Sequence, residues 1–248
     1  MPYVYRRILR VSRGGRVEEV RDALAVESLI EILLNGEPYL TLLATPRMLR
    51  ELAVGNLLTS GLVESVDDID EISITGSRIE VEVARDRFRG SPLRRRGRVV
   101  PPSCDALEIP TPPLEKRAGE LEVEPEAILR ALEDLYSKMP IFQKTGCTHA
   151  AAIADKSGEL VYVAEDIGRH NAIDKVVGLG ALSGLKLDVV FLAVTGRLTS
   201  LVVLKAARVG VPLLVSLSAP TLGGIEVAER ARVTLVGFAR GGRFNVYT

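Results

Sequence analysis

All thiols and imidazoles of this chain fall at four positions: Cys104, Cys147, His149 and His170. Three of the four lie in one stretch, TGCTHAAAIADKSGELVYVAEDIGRHNAIDK, from Thr145 to Lys175. Two compact polar clusters, Thr145-Gly146-Cys147-Thr148-His149 and Glu165-Asp166-Ile167-Gly168-Arg169-His170-Asn171, flank an apolar strand–turn–strand pattern. The Ser157-Gly158 turn between the two apolar runs favours a tight reversal, which brings the clusters together. Helical spacing of Ala172, Ile173, Val176, Val177 and Leu179 then puts Gly168 to Asn171 near a helix N-terminus. Free backbone N–H groups there, beside Arg169, make a natural phosphate or carboxylate site. Two readings of each histidine stand side by side: ligand contact, or a buried ring hydrogen-bonded to Asp166 or Asp174. Cys147 reads first as a small core or pocket-lining residue and second as a chemical group. Lys175 and Lys205 read as phosphate contacts or as helix-surface charges.

Cys104 lies in a different setting. The segment RDRFRGSPLRRRGRVVPPSCDALEIPTPPLEKRAGE, over about 85–120, is rich in Arg and Pro and has little periodicity. It is too long for a passive connection, so it reads as a functional loop or a linker. A thiol near Arg94, Arg95, Arg96 and Arg98 has its thiolate form favoured. The bland alternative is a loop thiol of no consequence.

Other classes are excluded by composition. A chain of 248 residues that is 47% hydrophobic and 26% charged can bury a substantial core, and it reads as a globular protein. The formal net charge of zero argues against a general nucleic-acid binder. Two cysteines 43 positions apart form no disulfide framework, and no signal peptide or long apolar run stands out, so the expected location is the cytoplasm, without a membrane partner. Of the 32 basic residues 25 are Arg, while Asn numbers four and Gln one, which fits a thermophile or a coding bias.

The positioning elements follow in chain order. Val4 to Val20 reads as one weakly alternating edge strand. Asn35-Gly36 between apolar runs marks a hairpin. Thr45-Pro46 reads as N-cap and first residue of a helix with Leu49, Leu52, Ala53, Leu57 and Leu58 on its buried face and Gly61 ending it. Two short strands, 71–75 and 78–83, come next. Pro125 opens an amphipathic helix. After the central stretch, strands at 188–195, 212–218 and 233–239 alternate with helices at 199–209 and 221–231, the last with Thr221 as N-cap, and a short strand, 244–247, closes the chain. This alternation implies an α/β (overall α+β) fold with a largely parallel or mixed sheet, whose ligands bind beyond the carboxyl ends of the strands. Three turns fall there: Thr195-Gly196-Arg197, Ser218-Ala219-Pro220-Thr221 and Arg240-Gly241-Gly242-Arg243. With Gly168-Arg169 they suggest a pocket for an anion carrying several phosphates, as against ordinary turns with solvated Arg.

In combination these motifs are specific. TGCTHAAA, EDIGRHNAIDKVVG, TGR with Ser200 and Lys205 after it, SAPT and TLVGFARGGRFNVYT, together with NGEPY, ATP and ELAVGNLLTSGLV, resemble the FdhD family of formate dehydrogenase accessory sulfurtransferases, from about Glu27 onward. The resemblance implies a sulfur carrier. It would take sulfur from a cysteine desulfurase as a persulfide and pass it to molybdenum or tungsten held by two molybdopterin guanine dinucleotides, before that cofactor enters formate dehydrogenase. It further implies a homodimer, no permanently bound metal, and guanine nucleotides as mimics of the cargo. The implied layout is a smaller N-terminal β-rich α+β domain over 1–118 and a three-layer α/β domain of cytidine-deaminase-like type over 119–248. Cys104 matches the family's sulfur-carrying cysteine by position. Phe238, Ala239, Arg240, Gly241, Gly242 and Arg243 match its Phe-x-basic-x-Gly-Arg turn, which contacts the cofactor. Around them, Thr145, Gly146, Cys147, His149, Asp166, Gly168, Arg169, His170, Asn171, Gly196, Arg197, Ser218 and Thr221 are the candidate lining, with Asp166 and Asp174 as acceptors for the guanine edge.

One departure stands out: the family's second cysteine is replaced by Leu107, three residues past Cys104. Single-thiol transfer remains chemically possible, with Cys147 as a further participant if the loop folds over the pocket. A cofactor-binding chaperone that has lost sulfur transfer is the alternative. A zinc hydrolase of the deaminase type fits less well, because His149 is followed by Ala150-Ala151 where His-x-Glu is needed, and Ser218 to Thr221 carry no cysteine. Cys104, Cys147, His149 and His170 match no usual zinc spacing.

Overall fold

The computed structural model describes residues 1–84, 87, 99–100 and 119–248. Cys104, Leu107 and the arginines of 94–98 lie outside the described residues. The N-terminal stretch is two strands rather than one: β1 (Tyr3–Val11) and β2 (Val17–Ala25) form an antiparallel ribbon. Gly14 and Gly15, at φ 98° and 83°, supply the reversal between them. The alternation was too weakly apolar to reveal that break.

β3 (Ser28–Leu34) and β4 (Glu37–Ala44) are joined by Asn35-Gly36, both at positive φ, as a tight hairpin turn requires. With β5 (Ile69–Thr75), β6 (Arg78–Val83) and the two-residue β7 (Val99–Val100) they make a mixed sheet of order β5-β6-β3-β4-β7. Helix α1 (Leu49–Ser60) follows β4 and ends at Gly61, at φ 70°. Its start differs from the expected one. Met48, not Thr45, holds the N-cap position. Thr45 is drawn inward instead, where its backbone N–H and C=O and its hydroxyl serve residues more than 120 positions away.

The second half follows the predicted alternation. It comprises α2 (Pro125–Ser137), α3 (Pro140–Thr145), β8 (His149–Ala154), β9 (Leu160–Asp166), α4 (Arg169–Leu182), β10 (Phe191–Val194), α5 (Ser200–Arg208), β11 (Leu213–Ser216), α6 (Leu222–Ala231), β12 (Thr234–Arg240) and β13 (Arg243–Val246). The strands form a six-stranded sheet of order β13-β12-β11-β10-β8-β9, parallel across β10, β11 and β12 and antiparallel elsewhere. Alternate residues of β8 separate its two faces. Ala150, Ala152 and Ala154 pack with Ile128, Leu132 and Leu135 of α2, while Ala151 and Ile153 join α4, α5 and α6. The result is helix, sheet, helix.

The helical layer is shared with the N-terminal half. One core cluster runs from Ile30, Ile32 and Ile79 of the five-stranded sheet through Leu52 and Leu57 of α1 to Ile173 and Val176 of α4 and Leu192 of β10. Eight consecutive residues of α1, Leu52 to Thr59, are buried, because the helix lies between a sheet and α4 instead of presenting one apolar face. Each fully buried Leu there stabilises the fold by roughly 2 kcal/mol. Gly55 and Gly178 let α1 and α4 meet backbone to backbone. A Cβ on Gly55 would stand 1.7 Å from the Asp174 carbonyl oxygen, and one on Gly178 2.0 Å from that of Glu51.

Candidate functional site

The last two residues of β9 set up the site. Their side chains point to opposite faces of the sheet, as strand geometry requires. Asp166 faces α4 and is completely buried. Its Oδ1 accepts from the Gly168 N–H at 2.8 Å and from Asn171 Nδ2 at 2.9 Å, while Oδ2 accepts from the Thr45 N–H at 3.0 Å and from Lys175 Nζ at 2.6 Å. Lys175, equally buried, also donates to the Thr45 carbonyl at 2.9 Å, and the Ile167 N–H donates to the Thr45 hydroxyl. Burial lowers the Lys175 ammonium from its ordinary value, against the opposing pull of Asp166. A second cluster is built the same way: Asp174 accepts from Lys205 Nζ and the Thr59 hydroxyl, each at 2.6 Å, and from Asn56 Nδ2 at 2.9 Å.

These contacts correct several expectations. Asp166 and Asp174, 0% and 1% exposed, are buried away from any guanine edge, and their oxygens are committed inside the protein. Lys175 and Lys205 are neither phosphate contacts nor surface charges but partners of those carboxylates. Gly168 and Asn171 belong to the same internal frame, with Asn171 Nδ2 also donating to the Leu43 carbonyl. The expected N-cap holds: Thr221 caps α6 by accepting from the Gly224 N–H at 3.1 Å.

Glu165 faces the other way. Its carboxylate, 8% exposed, accepts from the backbone N–H groups of Ile141 (2.9 Å) and Phe142 (2.8 Å), at the start of α3, and from the Thr148 hydroxyl (2.7 Å). Thr145 caps the other end of α3: its hydroxyl donates to the Ile141 carbonyl and accepts from the Cys147 N–H, while Gly146, at φ 66°, turns the chain. The outcome is an exposed Cys147 thiol and a half-buried His149. His149 Nδ1 lies 3.2 Å from the Thr195 hydroxyl. Burial, then the charges of Arg169 and Arg197, lower the His149 pKa from its ordinary 6.5, opposed by Asp166.

The carboxyl ends of the parallel strands close the arrangement. The Ser216 hydroxyl donates to the Gly196 carbonyl, the Ser218 hydroxyl to the Thr195 carbonyl, and the Phe238 N–H to the Ser218 carbonyl. Gly196 is required here: a Cβ would come within 2.8 Å of the Arg169 side chain, which packs across the turn. Arg169 is thus 6% exposed, whereas Arg197 is exposed. Phe238 sits at a bulge in β12 with φ 53°, and the Arg240 guanidinium stacks 5.5 Å over its ring.

Three cavities follow this edge. One of about 600 Å³ is lined by Phe238, Arg240, Gly241, Arg243 and Asn245. The next, about 260 Å³, shares Arg240 and Gly241 with it and adds Ala239, Gly242, Tyr136 and Leu217. The third, about 440 Å³, shares Tyr136 and Leu217 with the second and reaches Phe142, Gly146, Cys147, Thr148, His149 and Thr195. The shared lining residues set them side by side, in a row we call the groove, from the Arg243 turn to the Cys147 thiol. His170 is half-buried and is not among the residues that line these cavities. Sequence reasoning assigned no role to Glu165, Tyr136, Phe142 or Leu217. The spacing of Glu165 and Asp166 after an apolar strand was the available signal for the first. Among the described residues no group of three or more His, Cys, Asp and Glu could hold a metal ion.

The comparisons with known proteins decide the family. A model of the FdhD/NarQ family matches residues 25–248. The chain belongs to the FdhD/NarQ family. A protein of Xanthomonas euvesicatoria pv. vesicatoria (strain 85-10) named sulfur carrier protein FdhD is 35% identical over 245 residues, covering 94% of this chain and 86% of its own length. The protein of that name from Bacillus subtilis (strain 168) is 33% identical over 242 residues, covering 94% and 91%. A crystal structure from Desulfotalea psychrophila, of a protein provisionally assigned as a formate dehydrogenase accessory protein, superposes with a TM-score of 0.81 at 26% identity, covering 100% of this FdhD/NarQ chain and 97% of that one.

Proposed function

We propose that this protein is a sulfur carrier in the maturation of formate dehydrogenase, transferring a persulfide sulfur to a molybdenum or tungsten centre held by two molybdopterin guanine dinucleotides. The observation that carries the reading is the groove along one sheet edge. An Arg- and Gly-rich turn (Arg240 to Arg243) and an aromatic ring (Phe238) lie at one end, and a thiol and an imidazole at the other. Family membership and the names of the relatives support it. A guanine base has a face for the Phe238 ring, and pyrophosphates suit the Arg and Gly backbone of the turn. Cys104 is the carrier. Its thiolate attacks the sulfane sulfur of the desulfurase persulfide; a new S–S bond forms, the old one breaks, and the donor leaves as a thiolate. The acceptor then supplies an electron pair to the outer sulfur; a new bond to that sulfur forms, the S–S bond breaks, and Cys104 leaves with the S–S pair as a thiolate, the acceptor being oxidised by two electrons. The protein acts in the cytoplasm as a homodimer, with its C-terminal half of cytidine-deaminase-like type.

Leu107 favours a second reading, a cofactor chaperone without transfer. Intact-mass measurement after incubation with a cysteine desulfurase and cysteine separates the two. Transfer predicts a gain of one sulfur atom in the wild type and in Cys147→Ala, and none in Cys104→Ala. No gain in the wild type, when a homologue with both cysteines loads normally, would leave the chaperone.

A further inference from the structure

Met139 occupies the N-cap position of α3 without a side-chain cap, and Pro140 at the first helical position has no N–H to offer. The free donors at that end are the N–H groups of Ile141 and Phe142, and both are bound by Glu165, more than 20 residues away on β9. The same carboxylate holds the Thr148 hydroxyl, between Cys147 and His149. Phe142, Cys147, Thr148 and His149 all line the 440 Å³ cavity. One buried group therefore ties a wall of that cavity to the loop that carries its thiol and imidazole.

We infer that Glu165 is a positioning residue of the groove, acting through Thr148 and α3 to fix Cys147 and His149 at the cavity. The inference rests on the reading of that cavity as part of the sulfur-transfer site. An ionised carboxylate suits the role because all three partners are donors, and it accepts from all of them at once. Glutamine presents an N–H₂ group to at least one of those donors, so one anchor is lost and a buried N–H is left without an acceptor. Asp166 on the opposite face does the corresponding work for the Gly168 turn and leaves the Cys147 loop untouched.

The chain has two histidines, so their ring resonances are readily assigned by NMR. Arg169, Arg197 and Asp166 are the charged groups acting on His149. Removing the Glu165 charge without any movement would leave the His149 titration midpoint in place or lower it further. Release of the loop admits water and raises it. The expected result for Glu165→Gln is a His149 midpoint raised toward 6.5 with His170 unchanged, and amide exchange at Ile141 and Phe142 faster by about tenfold or more. Thr148→Val, which removes one of the three bonds, gives a smaller rise without the exchange effect, and it carries the test if Glu165→Gln does not fold. A His149 midpoint that stays or falls in folded Glu165→Gln, or in Thr148→Val where the former is unfolded, overturns the proposal. The measurement uses no sulfur donor or nucleotide, so its outcome is separate from that of the persulfide assay.

Discussion

His149 couples the site to pH. The unfolded chain takes up the imidazole proton near 6.5, whereas the folded protein takes it up only at lower pH, because burial and two arginines disfavour the cation. Between those two values the unfolded state binds more protons, so stability falls as the pH drops below 6.5 and levels off below the folded value. His149→Gln should remove that component. Denaturant midpoints measured from neutral to mildly acidic pH would then fall less steeply in the variant than in the wild type; equal slopes would exclude His149 as the source. At this scale the sequence revealed which residues were chemically capable but not which were already engaged. Asp166 and Asp174 look like available acceptors in a polar motif. Only the fold brings Lys175, Lys205, Thr45 and Thr59 to them, from up to 121 positions away.

Among the elements, α1 and α4 are the pair on which the site depends, because α4 begins with Arg169-His170 after its N-cap Gly168, and α1 fixes where it lies. Their contact at Gly55 and Gly178 has no room for a methyl group. Gly55→Ala should therefore cost roughly 3 kcal/mol or more, despite alanine's better helix propensity, and unfolding in urea would read it directly. Most elements were legible beforehand, since Asn35-Gly36, Gly61, Pro125 and Thr221 punctuate a clean apolar periodicity. The start of α1 was not. Thr45-Pro46 has the chemistry of a helix start, but tertiary demand for the Thr45 backbone overrides that local preference and delays the helix to Leu49. The break between β1 and β2 was missed for a different reason: their residues are mostly exposed, so the alternation was too weakly apolar to mark it.

For the whole molecule, the buried pair Asp166–Lys175, through its bonds to the Thr45 backbone, is a fastener between the two halves of the chain. Lys175→Met leaves a charged Asp166 in a dry interior and should destabilise the protein by roughly 3–5 kcal/mol. Adding Asp166→Asn to it should recover part of that loss, because the uncompensated charge is gone. Thermal melts of the two single variants and the double variant would measure the coupling, and simple additivity would exclude it.

The reach of that fastener has a consequence for how the protein is made. Thr45 waits for a lysine 130 positions further on. At ribosomal speeds of about 5–20 residues per second, the gap between their syntheses is roughly 6–26 s. Throughout that interval the N-terminal segment is without α4, and the face of α1 around Gly55 and Thr59 that α4 will cover stays open to water or to other chains. A protein that serves the assembly of another enzyme thus has a vulnerable period of its own, which ends only when the GRHNAIDK segment has emerged.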